Sequence, residues 1–138
     1  MSALSESDRA PGLLLGAGVT LPDDVELGGH VVIHAGTVVG KRARLQDGAV
    51  VGKPLALGAR STASRSELAP ARIGTGATIC AGAVVVAGAT IGDGVIVGDQ
   101  VQVRERATIG ADSVVGRGSA VDNDVTVGER VQIGRAHV

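Results

Sequence analysis

The chain has 138 residues, enough for one domain. It is 44% hydrophobic with a formal net charge of -1 and no Phe, Tyr or Trp, which excludes low-complexity disorder and a basic nucleic-acid binder and calls for a narrow, aliphatic core. The single cysteine, Cys80, excludes an internal disulfide framework, and no stretch reads as a signal peptide or membrane span, so no membrane contact and a cytoplasmic location are expected.

Residues 1–12, MSALSESDRAPG, carry no periodic pattern and are expected to be a disordered tail. From Leu15 onward an aliphatic residue returns at every sixth position: Leu21, Leu27, Ile33, Val39, Leu45 and Val51. The series restarts at Ile73 and runs through Ile79, Val85, Ile91, Val97, Val103, Ile109, Val115, Val121, Val127 and Ile133. All 18 positions are Leu, Ile or Val, and the residue after them is Gly in 11 of the 18 units. The residue three after is Gly in eight, and the residue four after is mostly small or Val. Gly at fixed offsets marks corners that need positive φ or close backbone approach. Each unit therefore predicts one short strand and one turn, and three units close one triangular coil. Seven units before the break and 11 after it make six coils, a solenoid roughly 29 Å long at ~4.8 Å per coil.

Residues 18 apart are expected to stack on one outer face. Thr90, Thr108 and Thr126 form one such ladder, Ile96 and Val114 a second, Val32 and Val50 a third. Glu26 is expected beside Arg44. The outward aliphatic pairs point to a surface buried between subunits.

Between Val51 and Ile73 the six-residue register is lost. Residues 53–72, with Pro54, Pro70, Arg60, Arg65, Arg72, Ser61, Thr62, Ser64 and Ser66, read as a loop expelled from the solenoid. Its Arg and Ser content suits a phosphate or pyrophosphate, and the alternative is a solvated loop packed over a face. The repeat is still in phase at Ile133. The closing hexapeptide Ile133 to Val138 matches what a common sequencing adapter encodes in one frame, so the chain is expected to be a fragment that runs into adapter sequence, against the alternative of a natural truncation.

The hexapeptide pattern resembles that of the hexapeptide-repeat acyltransferases, and over residues 13–133 the chain is similar to bacterial N-acyltransferases of nucleotide-linked amino sugars. The matching stretches are VVIHAGTVVG (31–40), VGKPLALGARSTASRSELAP (51–70), ICAGAVVVAGATIGDGVIVGDQVQVRERATIG (79–110) and VVGRGSAVDNDVTVGERVQI (114–133). The resemblance implies an all-β fold: a left-handed parallel β-helix over residues 13–138, of about six triangular coils with one expelled loop. It implies an acyltransferase working as a homotrimer, with acetyl-CoA or another acyl-CoA as co-substrate and an amino-sugar acceptor. In that family further coils, a second loop, much of the acyl-CoA groove and a C-terminal helix follow, so the stretch is expected to be an N-terminal fragment. The alternative function is a non-catalytic β-helix scaffold.

Acyl transfer to an amine needs a base, most often His. His30 and His34 occupy successive units, one at a corner and one just after an inward residue. Each is a candidate base, against the alternative of a surface corner. Arg104, Glu105 and Arg106 replace the Gly and small residues of one corner. They are candidates for contact with the acceptor or the next subunit, against a salt-bridged surface corner. Cys80 has no base beside it in sequence and reads as a small corner residue. The related γ-type carbonic anhydrases bind zinc through three His. The third His here, His137, lies in the adapter-like end, and no metal is expected.

Overall fold

The computed structural model describes residues 3–55 and 68–134. Each repeat unit is extended for three residues and then turns. Val31 and Ile33 point inward while Val32 between them points out, and the same in-out-in alternation recurs down the chain. The inward positions are sealed: Ile33, Ala49, Val51, Ile79, Ala83, Val85, Val97 and Val101 expose no surface. The small column four after each key aliphatic is thus the first inward residue of the next strand, opposed by the wall of the neighbouring strand. Two polar members, Thr37 and Ser113, are also fully buried. The Thr37 hydroxyl donates to the His34 carbonyl at 2.8 Å, and Ser113 Oγ donates to the Gly128 carbonyl at 2.7 Å while accepting from the Val131 N–H at 3.0 Å.

The strands stack into three parallel sheets, one per face of the prism. The first face holds Leu13–Leu15, Val32–Ile33, Val50–Lys53, Val84–Val86, Gln102–Val103 and Ala120–Val121. The second runs from Val38–Val39 through Arg72–Ile73, Thr90–Ile91 and Thr108–Ile109 to Thr126–Val127, with Thr20 bridged to Val38 above it. The third runs from Glu26–Leu27 through Arg44–Leu45, Thr78–Ile79, Ile96–Val97 and Val114–Val115 to Gln132–Ile133. The fold is an all-β, left-handed parallel β-helix of about six coils. The expected ladders are in register: Thr90 on Thr108 on Thr126, Ile96 on Val114, and Val32 on Val50. Glu26 pairs with Arg44 at 3.4 Å, but both side chains are more than 60% exposed, so the pair contributes at most about 1 kcal/mol.

The two glycine columns have different causes. The third turn residue is left-handed at most corners: all eight of its glycines have positive φ, and so do His30, Arg42, Gln100, Arg106, Asp112, Asp124 and Arg130. The column after the key aliphatic is tight for another reason. A Cβ on Gly40 would stand 2.6 Å from the Thr75 nitrogen one coil away.

Across the break, the strands that stack as neighbours pair Val50 with Val84, Val38 with Arg72 and Arg44 with Thr78. An uninterrupted coil pairs Val32 with Val50. The surplus of chain over one ordinary coil is the expelled loop, and the prism closes beneath it without loss of register. Lys53 and Arg72 belong to strands, one residue inside each expected loop boundary, because both still find parallel partners. Gly52, at the exit, has a φ of 78°, and a Cβ there would overlap the Thr37 hydroxyl.

The expected disordered tail is corrected over residues 3–12. Ser5–Ser7 form a strand antiparallel to Leu13–Leu15, with Glu6 opposite Leu14. The open backbone edge of the first coil supplies the missing partner. Arg9 reinforces it by donating to the carbonyls of Leu21 and Pro22, each at 2.9 Å.

Two substitutions test this reading. Gly76 has a φ of 68°, and nothing lies within 4 Å of the point a methyl carbon would occupy. Gly76→Ala therefore isolates backbone strain and is expected to lower unfolding free energy by about 1–2 kcal/mol, with Gly76→Asn milder. Truncating the buried Ile91 to Ala is expected to remove about 2–5 kcal/mol in urea titrations.

Candidate functional site

The first and second faces meet along one edge of the prism, and that edge carries most of the chemistry. Down it come His34, then Gly52 and Lys53, then Val86 to Gly88, then Arg104 to Arg106, then Asp122 to Asp124. Both limbs of the expelled loop leave from and return to this edge. Pro70 closes over Gly36, where a Cβ would stand 3.1 Å from the proline ring, and Leu68 covers Gly88. The Arg60, Arg65, Ser61, Thr62, Ser64 and Ser66 group, read as a phosphate contact, lies outside the described residues.

His34 is held at the root of this loop. Its backbone N–H donates to the Val51 carbonyl at 2.9 Å, and its own carbonyl accepts from the Thr37 hydroxyl. Partial burial, and after it the positive charge of Lys53, hold the imidazole below its ordinary value. Removing the ring from water disfavours the cation, and a neighbouring ammonium repels it. The ring is therefore biased toward the neutral form, the form that can take up a proton.

His30 is placed elsewhere. It occupies the third turn position between the third and first faces, with a φ of 59°, at the other end of Val31–Ile33 from His34. Its N–H donates to the Pro11 carbonyl at 2.8 Å, and its ring lies beside Gly12. The structure ties His30 to the N-terminal turn and does not bring it to His34.

Arg104 and Glu105 share the His34 edge but lie three coils away, about 14 Å. Glu105 is buried, only 7% exposed. Burial pushes its carboxyl up. Its own backbone N–H, the Arg104 hydrogen bond and the charges of Arg104 and Arg106 together outweigh that and leave it below the ordinary value. Arg104 Nε donates to Glu105 at 3.1 Å. Arg106 forks onto Asp124 at 2.6 and 3.0 Å, and Asn123 donates to the same carboxylate at 2.8 Å. The Arg106 hydrogen bonds, followed by that of Asn123, bring Asp124 down to about 2. The sequence singles out Arg104 to Arg106 and misses Asp124, whose only signal is its place one coil below Arg106.

The edge between the third and first faces holds a shallow groove of about 580 Å³ lined by Ala81, Gly82, Asp99, Gln100, Arg117 and Gly118. Cys80 lies on this edge, where burial first and Asp99 second push its thiol up, so it stays protonated and weakly nucleophilic. Among the described residues no group of three His, Cys, Asp or Glu is arranged to hold a metal ion.

No family model and no curated protein matches the chain. Solved structures do. The chain is similar to the UDP-N-acetylglucosamine acyltransferase of Francisella novicida, with a TM-score of 0.65 and 20% identity, covering 94% of this chain and 56% of that one. It is similar also to the perosamine N-acetyltransferase of Caulobacter crescentus, solved with CoA and GDP-perosamine, at a TM-score of 0.52 and 21% identity, covering 88% and 53%. At these identities the likeness establishes the fold, and the chain spans about half the length of either enzyme.

The Arg106 fork carries its own test. The Asp124 carboxyl is expected to titrate near 2 and to return toward 3.8 in Arg106→Gln, read from side-chain carboxyl shifts by NMR. An unchanged titration in the variant refutes the pairing.

Proposed function

We propose that this prism belongs to an acyl-CoA-dependent N-acyltransferase acting on the amino group of a nucleotide-linked sugar, with acetyl-CoA or a related acyl-CoA as donor. The observation that carries the reading is the neutral-biased His34 held at the root of an expelled loop, on a fold shared with acyltransferases. In the reaction the amine lone pair attacks the thioester carbonyl carbon, the carbon–sulfur bond breaks, and the thiol leaves. His34 takes the proton released by the amine and can return it to the departing thiolate. Arg104 and Glu105 are assigned to the acceptor or to a neighbouring subunit. Neither could share one small acceptor atom with His34 across about 14 Å, so they contact a different part of an extended substrate.

The reading includes a cytoplasmic homotrimer. In its support, Leu14, Val32, Val50 and Val84 form a continuous outward aliphatic ladder on the first face, and Ile96 is 42% exposed on the third. Such stripes are what an interface between copies buries. Among the described residues no helix is long and apolar enough to cross a membrane. The scaffold reading draws on the regular stacking of the three parallel sheets, and it requires no acyl-CoA binding.

Calorimetry with acetyl-CoA, and thiol release upon adding UDP- or GDP-linked amino sugars, measured on the whole protein with the coils expected to follow these residues, decide between them. The enzyme reading expects binding, and a loss of about 10²–10⁴ in kcat/KM for His34→Ala with acetyl-CoA affinity retained. It also expects the acid limb of the pH profile to fall below 6.5, since His34 is held under that value. Absence of both binding and thiol release moves the assignment to the scaffold.

A further inference from the structure

Near the expelled loop, the inward residue that opens each strand is Val or Ala, as at Val31, Ala43, Ala49, Ala71 and Ala77, and Thr37 is the exception. Val19 stacks above Thr37 and Ala71 below it, since Thr20 bridges Val38 and Val38 pairs with Arg72. A hydroxyl buried among aliphatics costs about 1–3 kcal/mol when it has no partner. Thr37 Oγ1 has one: it donates to the His34 carbonyl at 2.8 Å, and the Thr37 N–H reaches the same carbonyl at 3.3 Å. Other corners close on the N–H bond alone, with Ala43 donating to Gly40, Ala77 to Gly74 and Ala83 to Cys80. The hydroxyl is therefore not needed to close a corner.

This corner stands between the assigned base and both limbs of the loop. Gly52, at the exit, lies against it: a Cβ there would overlap Thr37 Oγ1 and stand 3.5 Å from His34 Cβ. Pro70, on the return, packs on Gly36, the residue before Thr37. One hydroxyl thus holds the backbone of His34 and fills the space beside the loop exit. Two hydrogen bonds on one carbonyl fix the peptide plane that leaves His34, and the rotamers open to a side chain follow from the backbone that carries it.

We infer that Thr37 is a positioning residue that holds the His34 imidazole against the root of the loop by way of the His34 carbonyl. The inference rests on the acyltransferase reading for what His34 does, and on the geometry alone for how it is held. Thr37→Val keeps the shape of the side chain and removes the hydroxyl, whereas Thr37→Ser keeps the hydroxyl. Both are made in the whole protein, with the coils expected to follow these residues. Thr37→Val is expected to lower kcat at least about tenfold, as a misplaced base does, with KM for acetyl-CoA within about twofold of the parent. Its urea midpoint is expected at or above that of the parent, because the corner keeps its N–H bond and no buried hydroxyl remains. Thr37→Ser is expected to return kcat to within about threefold of the parent. Titration of the His34 ring by NMR gives a readout independent of turnover. With the ring released, burial and the charge of Lys53 act on it less, so its value is expected to rise toward 6.5 in Thr37→Val and to stay in Thr37→Ser. Parent kcat in Thr37→Val, a loss that Thr37→Ser does not rescue, a loss in step with a fallen urea midpoint, or an unmoved His34 titration overturns the positioning role. Absence of thiol release in the parent sinks the acyltransferase reading instead, and the His34 titration then decides on Thr37 by itself.

Discussion

Everything in this protein rests on the in-register stacking of coils at one constant repeat. Each coil must hand its N–H groups to the next at one repeat distance, and its inward residues stack on aliphatic or small residues of the next coil. Leu45 on Ile79 and Ile91 on Ile109 meet that condition. The core is built from aliphatics and alanine, and the chain has no aromatic residue. The tight approach of the corners follows from the same spacing, since Gly40 faces the Thr75 backbone with no room for a methyl group.

A rigid prism turns sequence position into place. Residues one coil apart become neighbours on one edge, so His34, Lys53 and the Arg104 to Arg106 corner lie along one line although they are remote in sequence. The edge can hold an extended substrate along its length, but it does not gather these groups into one compact constellation. The neutral bias of His34 depends on its partial burial and on Lys53, which the stacking brings beside it from the next coil.

Stacking also sets how the first coil is closed. In each coil the strand N–H groups donate to the carbonyls of the next, so the first coil's carbonyls take other partners. The hairpin at residues 5–11 supplies partners there, with a reversed strand on Leu13–Leu15 and the Arg9 guanidinium on the Leu21 and Pro22 carbonyls. Further along, Ser113 ties the last coils together from inside, with a hydroxyl that both donates and accepts.

The sequence by itself determined the period, the number of coils, the inward columns and the outer ladders, because a side chain's direction in a β-helix follows directly from its place in the six-residue unit. It also located the break, since a lost register is visible without coordinates. Tertiary structure alone decided the rest. That the inserted segment leaves and returns on one edge, with Lys53 and Arg72 still in strands, depends on parallel partners on the far side of the break. That Ser5–Ser7 form a strand depends on an open backbone edge, and no periodicity in MSALSESDRAPG announces it. His30 and His34 look equivalent as letters four apart. Only the fold shows that one is bound to the N-terminal turn and the other partly buried beside Lys53, because burial and neighbouring charge arise from chain segments that the local sequence does not contain.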